Sequence, residues 1–260
     1  MSINYGSNKN TLGRGRLFFD RFLDGTTTKS GELYLGNTPE FGLSVEPETL
    51  EHFDSDSALK FKDESVVLQF ARAGNFITDN INLENIALFF FGAQSTVTQV
   101  ATPVADEVIT VLQGRHYQLG ALPANPPGVR DVSTVVVQDV TDTTTWVEDT
   151  DYSLDATNGR IYIIPGGGIT DDDVLHVDYT PTANTRSRII SSDQSIYGAL
   201  RFESANPVGD KNNHYFPKTL LTPNGDYALK GDEWQQMAFN VEVLQLDDAT
   251  SPHYIDGQPA

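Results

Sequence analysis

Residues 62–92, KDESVVLQFARAGNFITDNINLENIALFFFG, change hydrophobic period partway along. Over 63–76 the pattern alternates, with Val66, Leu68, Phe70 and Arg72 on one face and Ser65, Val67, Gln69 and Ala71 on the other, which is the period of a strand. After Asn82 it turns helical. Leu83, Ile86, Ala87, Phe90 and Phe91 fall near the i, i+3, i+4, i+7, i+8 spacing, Asn82 or Asp79 can cap, Glu84 lies in the first turn, and Gly92 supplies a stop. This reading makes Leu83, Ile86 and Phe90 the core face of the helix. No other stretch gives a convincing helix, and one this apolar must lie across a sheet. The pattern therefore predicts a mainly β fold of strands, one helix, then more strands.

The flanking segments fill in that outline. Residues 1–13 are polar and read as an arm that is loose until a partner orders it. GRGRLFFDRFLDG, residues 13–25, predicts a strand ending at the turn dipeptide Asp24-Gly25. Long strands are expected over 33–45 and from 63 onward. The polar stretch between them, 46–62, is too long for a tight turn and reads as a loop. Leu50, Phe53 and Leu59 would be exposed in that loop unless it docks on a neighbour. Strands over 196–203, 214–222 and 236–243 complete the set; in the last, Met237, Phe239, Val241 and Val243 alternate with Gln236, Ala238, Asn240 and Glu242. The tail, 249–260, is polar and its prolines oppose regular structure.

Between 96 and 184 the texture changes to short strand candidates, 108–112, 115–119, 133–140, 144–148, 160–164 and 174–179, separated by turn signals such as Asn158-Gly159 and Gly166-Gly167-Gly168. That spacing suggests a small all-β sandwich inserted into a discontinuous outer domain, 14–95 and 185–248.

Charge sharpens the division. The chain carries −19 from 36 acidic and 17 basic residues, which argues against gripping phosphates. More than half of that excess lies in the inserted third. Cysteine is absent, which removes disulfides, thiolate nucleophiles and Cys-based metal sites. The N-terminus lacks a basic region followed by an apolar core, and no apolar run is long enough to span a bilayer, so neither a cleaved signal nor a membrane segment is expected. The five histidines show no pair at helical ligand spacing and read as surface or satisfied groups. Asp171-Asp172-Asp173 and the acids of 148–155 read as solvated turns rather than a calcium loop, Leu154 standing where the sharp turn needs Gly. With no nucleophile elbow or phosphate cradle, the expectation is a protein that is not an enzyme and needs no cofactor.

The stretches GRGRLFFDRF, GELYLGNTPEFGLSVEPETLEHFDSD, DESVVLQFARAGNFITDNINLENIALFFFG and WQQMAFNVEVL together resemble the major tail tube protein of long-tailed, siphovirus-like bacteriophages. The inserted segment looks like the immunoglobulin-like β-modules that decorate phage structural proteins. The resemblance covers about residues 14–92 and 187–246. It implies a virion protein assembled in the host cytoplasm, a β-sandwich flanked by one helix whose sheets join edge to edge. Six copies would form a ring, and stacked rings a hollow tube for DNA ejection. It further implies a tape measure inside, terminator and distal tail proteins at the ends, and DNA passing without specific binding. A conduit should not adhere to phosphates, so Glu40, Ser44, Ser65, Gln69, Glu203, Gln236, Asn240 and Glu242 are the expected lumen-facing residues, with Val66, Leu68 and Phe70 toward the core and Arg201 against a uniformly acidic lining. Leu50, Phe53 and Leu59 are expected at ring-to-ring contacts, and the acidic insertion on the outside. The alternatives are the inner tube of a contractile injection particle and an adhesion or carbohydrate-binding β-module protein.

Overall fold

The computed structural model describes residues 10–56 and 58–258, so most of the expected N-terminal arm, residues 1–9, lies outside the described residues. The fold is mainly β, 52% strand and 3% helix, with a single helix and no closed barrel among the described residues. The chain runs through β1 (Gly15–Arg21), β2 (Leu33–Tyr34), β3 (Glu40–Asp54), β4 (Phe61–Thr78) and α1 (Leu83–Phe89). There follow β5 (Ala93–Gln99), β6 (Val104–Thr110), β7 (His116–Gln118), β8 (Val132–Asp139), β9 (Tyr152–Asp155), β10 (Arg160–Ile163), β11 (Val174–Pro181) and β12 (Asn184–Ile190). The last strands are β13 (Ile196–Ser204), β14 (Asn212–Pro223), β15 (Met237–Val243) and β16 (Tyr254–Gly257). Two compact units result. One comprises the residues up to Gln94 together with those from Ile189 onward, the other Ser95–Arg188.

The first unit is built on one antiparallel sheet of order β2-β1-β13-β14-β15-β4-β3, with β16 added against β14. Its apolar face follows from period-two alternation: Leu17 and Phe19 on β1, Leu200 on β13, Leu221 on β14, and Met237, Phe239 and Val241 on β15 are all buried. Phe239 stacks on Phe76 with centroids 4.9 Å apart and meets Phe89 of the helix edge-on at 5.7 Å. Pro217 sits in β14 where the register to β13 shifts between Gly198 and Leu200. A proline is tolerated there because a bulge leaves a residue without a ladder bond.

The helix forms where expected, with Asn82 as N-cap accepting from Asn85 N–H at 2.7 Å. Its buried face is different: Asn85, Ala87, Leu88 and Phe89 are buried, whereas Leu83 and Phe90 are exposed and Ile86 only half-buried. The apolar spacing misled because a buried position is held by a polar residue. Asn85 Nδ2 donates to Leu35 O and Asn80 O, tying the helix to the loops beside it. The stop also differs. Phe91 takes the left-handed conformation (φ 52) and donates to Leu88 O, and Gly92 N–H donates to Ala87 O at 2.7 Å, a Schellman closure with Phe91 as its left-handed residue. Gly92 is needed for close approach instead, since a Cβ there would lie 2.7 Å from Ile190 O.

Two further expectations are corrected. Residues 46–62 are not a long loop but the outer end of a β3–β4 hairpin, which leaves only 55–60 between the strands. The tail contains β16, whose residues Tyr254 to Gly257 pair with Tyr215 to Asn212.

In the second unit, two three-stranded sheets, β7-β10-β9 and β6-β11-β8, share one core that includes Val137, Ile161, Ile163, Leu175, Val177 and Tyr179. Residues 144–148 form no strand, only isolated bridges of Thr145 to Gln138, with Trp146 N–H donating to Val137 O, and of Glu148 to Tyr152, and β9 lies just beyond. The chain passes between the units along β5 and β12, which pair with each other.

Candidate functional surface

Directly opposed residues of antiparallel strands share a face, so the register maps the outer face of the large sheet. Glu242 opposes Ala73, which opposes Ser44; Asn240 opposes Asn75; Ile77 opposes Glu40; and Gln69 opposes Glu48. On the other side Glu242 opposes Leu220, and Leu220 opposes Tyr197, from which Arg201 and Glu203 follow by alternation along β13. The sheet therefore brings Glu40, Ser44, Gln69, Glu203, Asn240 and Glu242 onto the face turned away from its core. Gln236 is exposed one residue ahead of β15.

Ser65 is not among them. Glu48 opposes Gln69 but Thr49 opposes Val67, which leaves Leu68 as an extra residue in β4. A bulge of this kind inverts the alternation beyond it. Ser65 then opposes Glu51 on the face opposite Gln69, and Val66 joins Leu50 on the polar side.

Three cations at the outer face are engaged by neighbouring groups, whereas Arg16, opposite Glu203, is exposed. Arg201 Nε donates to Glu32 Oε1 at 2.7 Å, and its guanidinium lies 4.7 Å from the Tyr215 ring centroid. Lys29 sits over the same ring and hydrogen-bonds the Tyr215 hydroxyl, and Lys218 lies 5.7 Å from the Tyr197 ring.

The β3–β4 hairpin is the other unusual surface. β15 pairs with β4 only over Ala73–Thr78, so beyond that ladder β3 and β4 have only each other. Every described residue from Gly42 to Ala71 is exposed. Val66, Leu68 and Phe70, expected in the core, are 50%, 58% and 55% exposed, as are Leu50 at 63%, Phe53 at 46%, Leu59 at 70% and Phe61 at 62%. Cross-strand pairs hold the ribbon's polar groups: Lys62 to Glu51 at 2.5 Å, His52 to Asp63 at 2.6 Å, and Gln69 to Glu48. The alternating charges are strand residues satisfied by their partners, a relation a linear pattern does not display.

Two of the scattered histidines meet, which sequence spacing gave no reason to expect. His214 Nδ1 and His253 Nε2 lie 3.0 Å apart, with the His253 ring stacked 4.3 Å over Phe216. Burial lowers the pKa of both, and for His253 the neighbouring His214 and Arg72 add to the effect. A third histidine, His176, lies among aspartates in the second unit.

These features define a mainly β protein with an open antiparallel sheet, one bracing helix, an uncovered hairpin and a separate small β unit. The chain belongs to the family described as Protein of unknown function UCP028589, whose model matches residues 10–253. A search of curated proteins gives no match. No helix among the described residues is long and apolar enough to cross a membrane.

Proposed function

We propose that this chain is a structural, non-catalytic subunit of a phage tail tube, built from stacked six-membered rings around a DNA conduit. The observation that carries the reading is the hairpin. A two-stranded ribbon with large apolar side chains exposed on both faces is marginal on its own in water. Covering it with further copies of the chain removes both the exposed apolar area and the free edge of the 15-residue strand β3. Residue types on the outer face of the sheet agree with a conduit. Carboxylates and amides there repel or ignore phosphates, Arg201, Lys29 and Lys218 are engaged by Glu32 or by aromatic rings, and the exposed Arg16 stands opposite the carboxylate-bearing Glu203. The resemblance of residues 14–92 and 187–246 to tail tube proteins supports the same reading, with the acidic second unit as an outward module and the tape measure, terminator and distal tail proteins as partners in the virion.

Negative-stain electron microscopy of the purified protein tests it. Hollow tubes, or rings of six, are the expected result. Protein that stays monomeric under all assembly conditions, together with intact tails when the gene is deleted, would sink the proposal.

A further inference from the structure

His176 belongs to a cluster that the tube reading does not use. It lies on β11, the central strand of its sheet, on the side opposite the buried Leu175 and Val177, and its side chain is 17% exposed. Asp106 comes from β6, where Val177 opposes Glu107 but Tyr179 opposes Val104, so the strand carries an extra residue. Its backbone is left-handed (φ 54), and its N–H donates to Asp178 Oδ1 at 2.8 Å. Asp142 comes from the turn after β8, also left-handed (φ 56), with its N–H bonded to Asp139 O at 3.0 Å. The Asp139 carboxylate locks that turn by accepting from Thr143 N–H at 2.8 Å and Thr144 N–H at 3.1 Å. Asp142 Oδ1 lies 2.7 Å and Asp106 Oδ1 3.8 Å from the same nitrogen, His176 Nδ1. The three donor atoms all fall within 4.8 Å of one another.

We propose that His176 Nδ1, with one carboxylate oxygen each from Asp106 and Asp142, forms a binding site for Zn2+ on the second unit. Geometry supports this first. Two donors each about 2.1 Å from an ion are about 3.0 Å apart at a right angle and about 3.4 Å apart at the tetrahedral angle. The two observed separations from Nδ1, 2.7 and 3.8 Å, bracket those values, and the two carboxylate oxygens, within 4.8 Å of each other, need to draw together by at most about 1.4 Å to reach the tetrahedral spacing.

Charge supports it second. An imidazole nitrogen can share its proton with one carboxylate, and here two converge on it. No Lys or Arg forms an ion pair with either acid among the described residues. A neutral His176 leaves two like charges side by side, and a divalent cation offsets them. An ordinary His176–Asp142 ion pair accounts for one carboxylate and gives Asp106 no role. Ligand type supports it third: an imidazole with two carboxylates suits zinc, whereas calcium and magnesium prefer oxygen-only shells. Three protein ligands at a half-open surface leave the remaining position to water.

The site is independent of the tube reading and is tested separately, on the full-length chain freed of metal by chelation. Calorimetric titration with Zn2+, backed by metal analysis after gel filtration, should give about one ion per chain. Removing groups around a zinc site weakens binding about 10- to 100-fold, so His176→Gln, Asp106→Asn and Asp142→Asn, each of which removes a direct ligand, should each weaken it by at least ~10-fold. The glutamine amide can still donate to Asp142, so a purely structural hydrogen bond, and the fold it supports, would be largely preserved in His176→Gln while zinc affinity falls. Asp172→Asn, in the exposed acidic turn, should leave affinity unchanged. The proposal is overturned by absence of saturable Zn2+ binding. Binding that is indifferent to all three variants overturns it too, because the ion is then held elsewhere, and so does Ca2+ binding as tightly as Zn2+.

Discussion

Leu50→Asp is the sharpest probe of the hairpin. Leu50 opposes Val66, and the two side chains are 63% and 50% exposed, with no third strand beside them. In the isolated chain the substitution exchanges one solvated group for another, so unfolding should change by no more than about 0.5 kcal/mol. In an assembly the arithmetic differs. Fully burying a large apolar side chain is worth roughly 1.5–3 kcal/mol, and about half of that remains to be gained at each such position of the ribbon. The seven exposed side chains Leu50, Phe53, Phe61, Val66, Val67, Leu68 and Phe70 therefore offer about 5–10 kcal/mol per hairpin, the upper end being a bound. An aspartate at position 50 forfeits about 1 kcal/mol of this. It also places a carboxylate in the contact, at a further cost of several kcal/mol where no cation meets it. Urea unfolding of the dilute protein should thus be nearly unchanged, while sedimentation velocity and electron microscopy should show assembly abolished. Normal tubes from Leu50→Asp would refute the reasoning. A monomer destabilised by more than ~1 kcal/mol would also do so, by showing that Leu50 already packs within its own chain.

Other consequences follow from packing and titration. Phe239→Ala removes a ring that stacks on Phe76 and meets Phe89, and should cost about 3–5 kcal/mol; in chemical denaturation the loss should fall on the transition of the first unit and leave that of Ser95–Arg188 unmoved. Asn82→Ala deletes the N-cap bond to Asn85 and should cost about 1 kcal/mol, measured by the same titration. His214 and His253 have pKa values lowered by burial from 6.5, so the unfolded chain takes up their protons first. The stability they confer is fully present above pH 6.5 and is lost as pH falls toward their folded-state values. Thermal melts across pH 7 to 5 should show that decline, flattened in His253→Asn, with earlier hydrogen exchange in β16, which pairs beside His214.

What the sequence determined by itself is whatever a linear period encodes. Met237, Phe239 and Val241 alternate because one face of β15 is core, so the strand and its inner face were both legible. Asn82 marked the helix start because a cap acts within four residues. Turn signals and the crowding of acids marked 96–184 as different in kind, close to the observed Ser95–Arg188.

Tertiary structure decided the rest, because those outcomes depend on partners distant along the chain. The charged residues of 46–62 look like a loop until Glu51 meets Lys62 and His52 meets Asp63 across the ribbon. Ser65 changes face because one extra residue at Leu68 inverts a period of two, and nothing at Leu68 announces it. Asn85 occupies a core position because Leu35 O and Asn80 O wait there for a donor. Asp106, Asp142 and His176 converge only when β11 is laid between β6 and β8. A local pattern can report which side of an element is apolar, but only the closed sheet reports which groups then face one another.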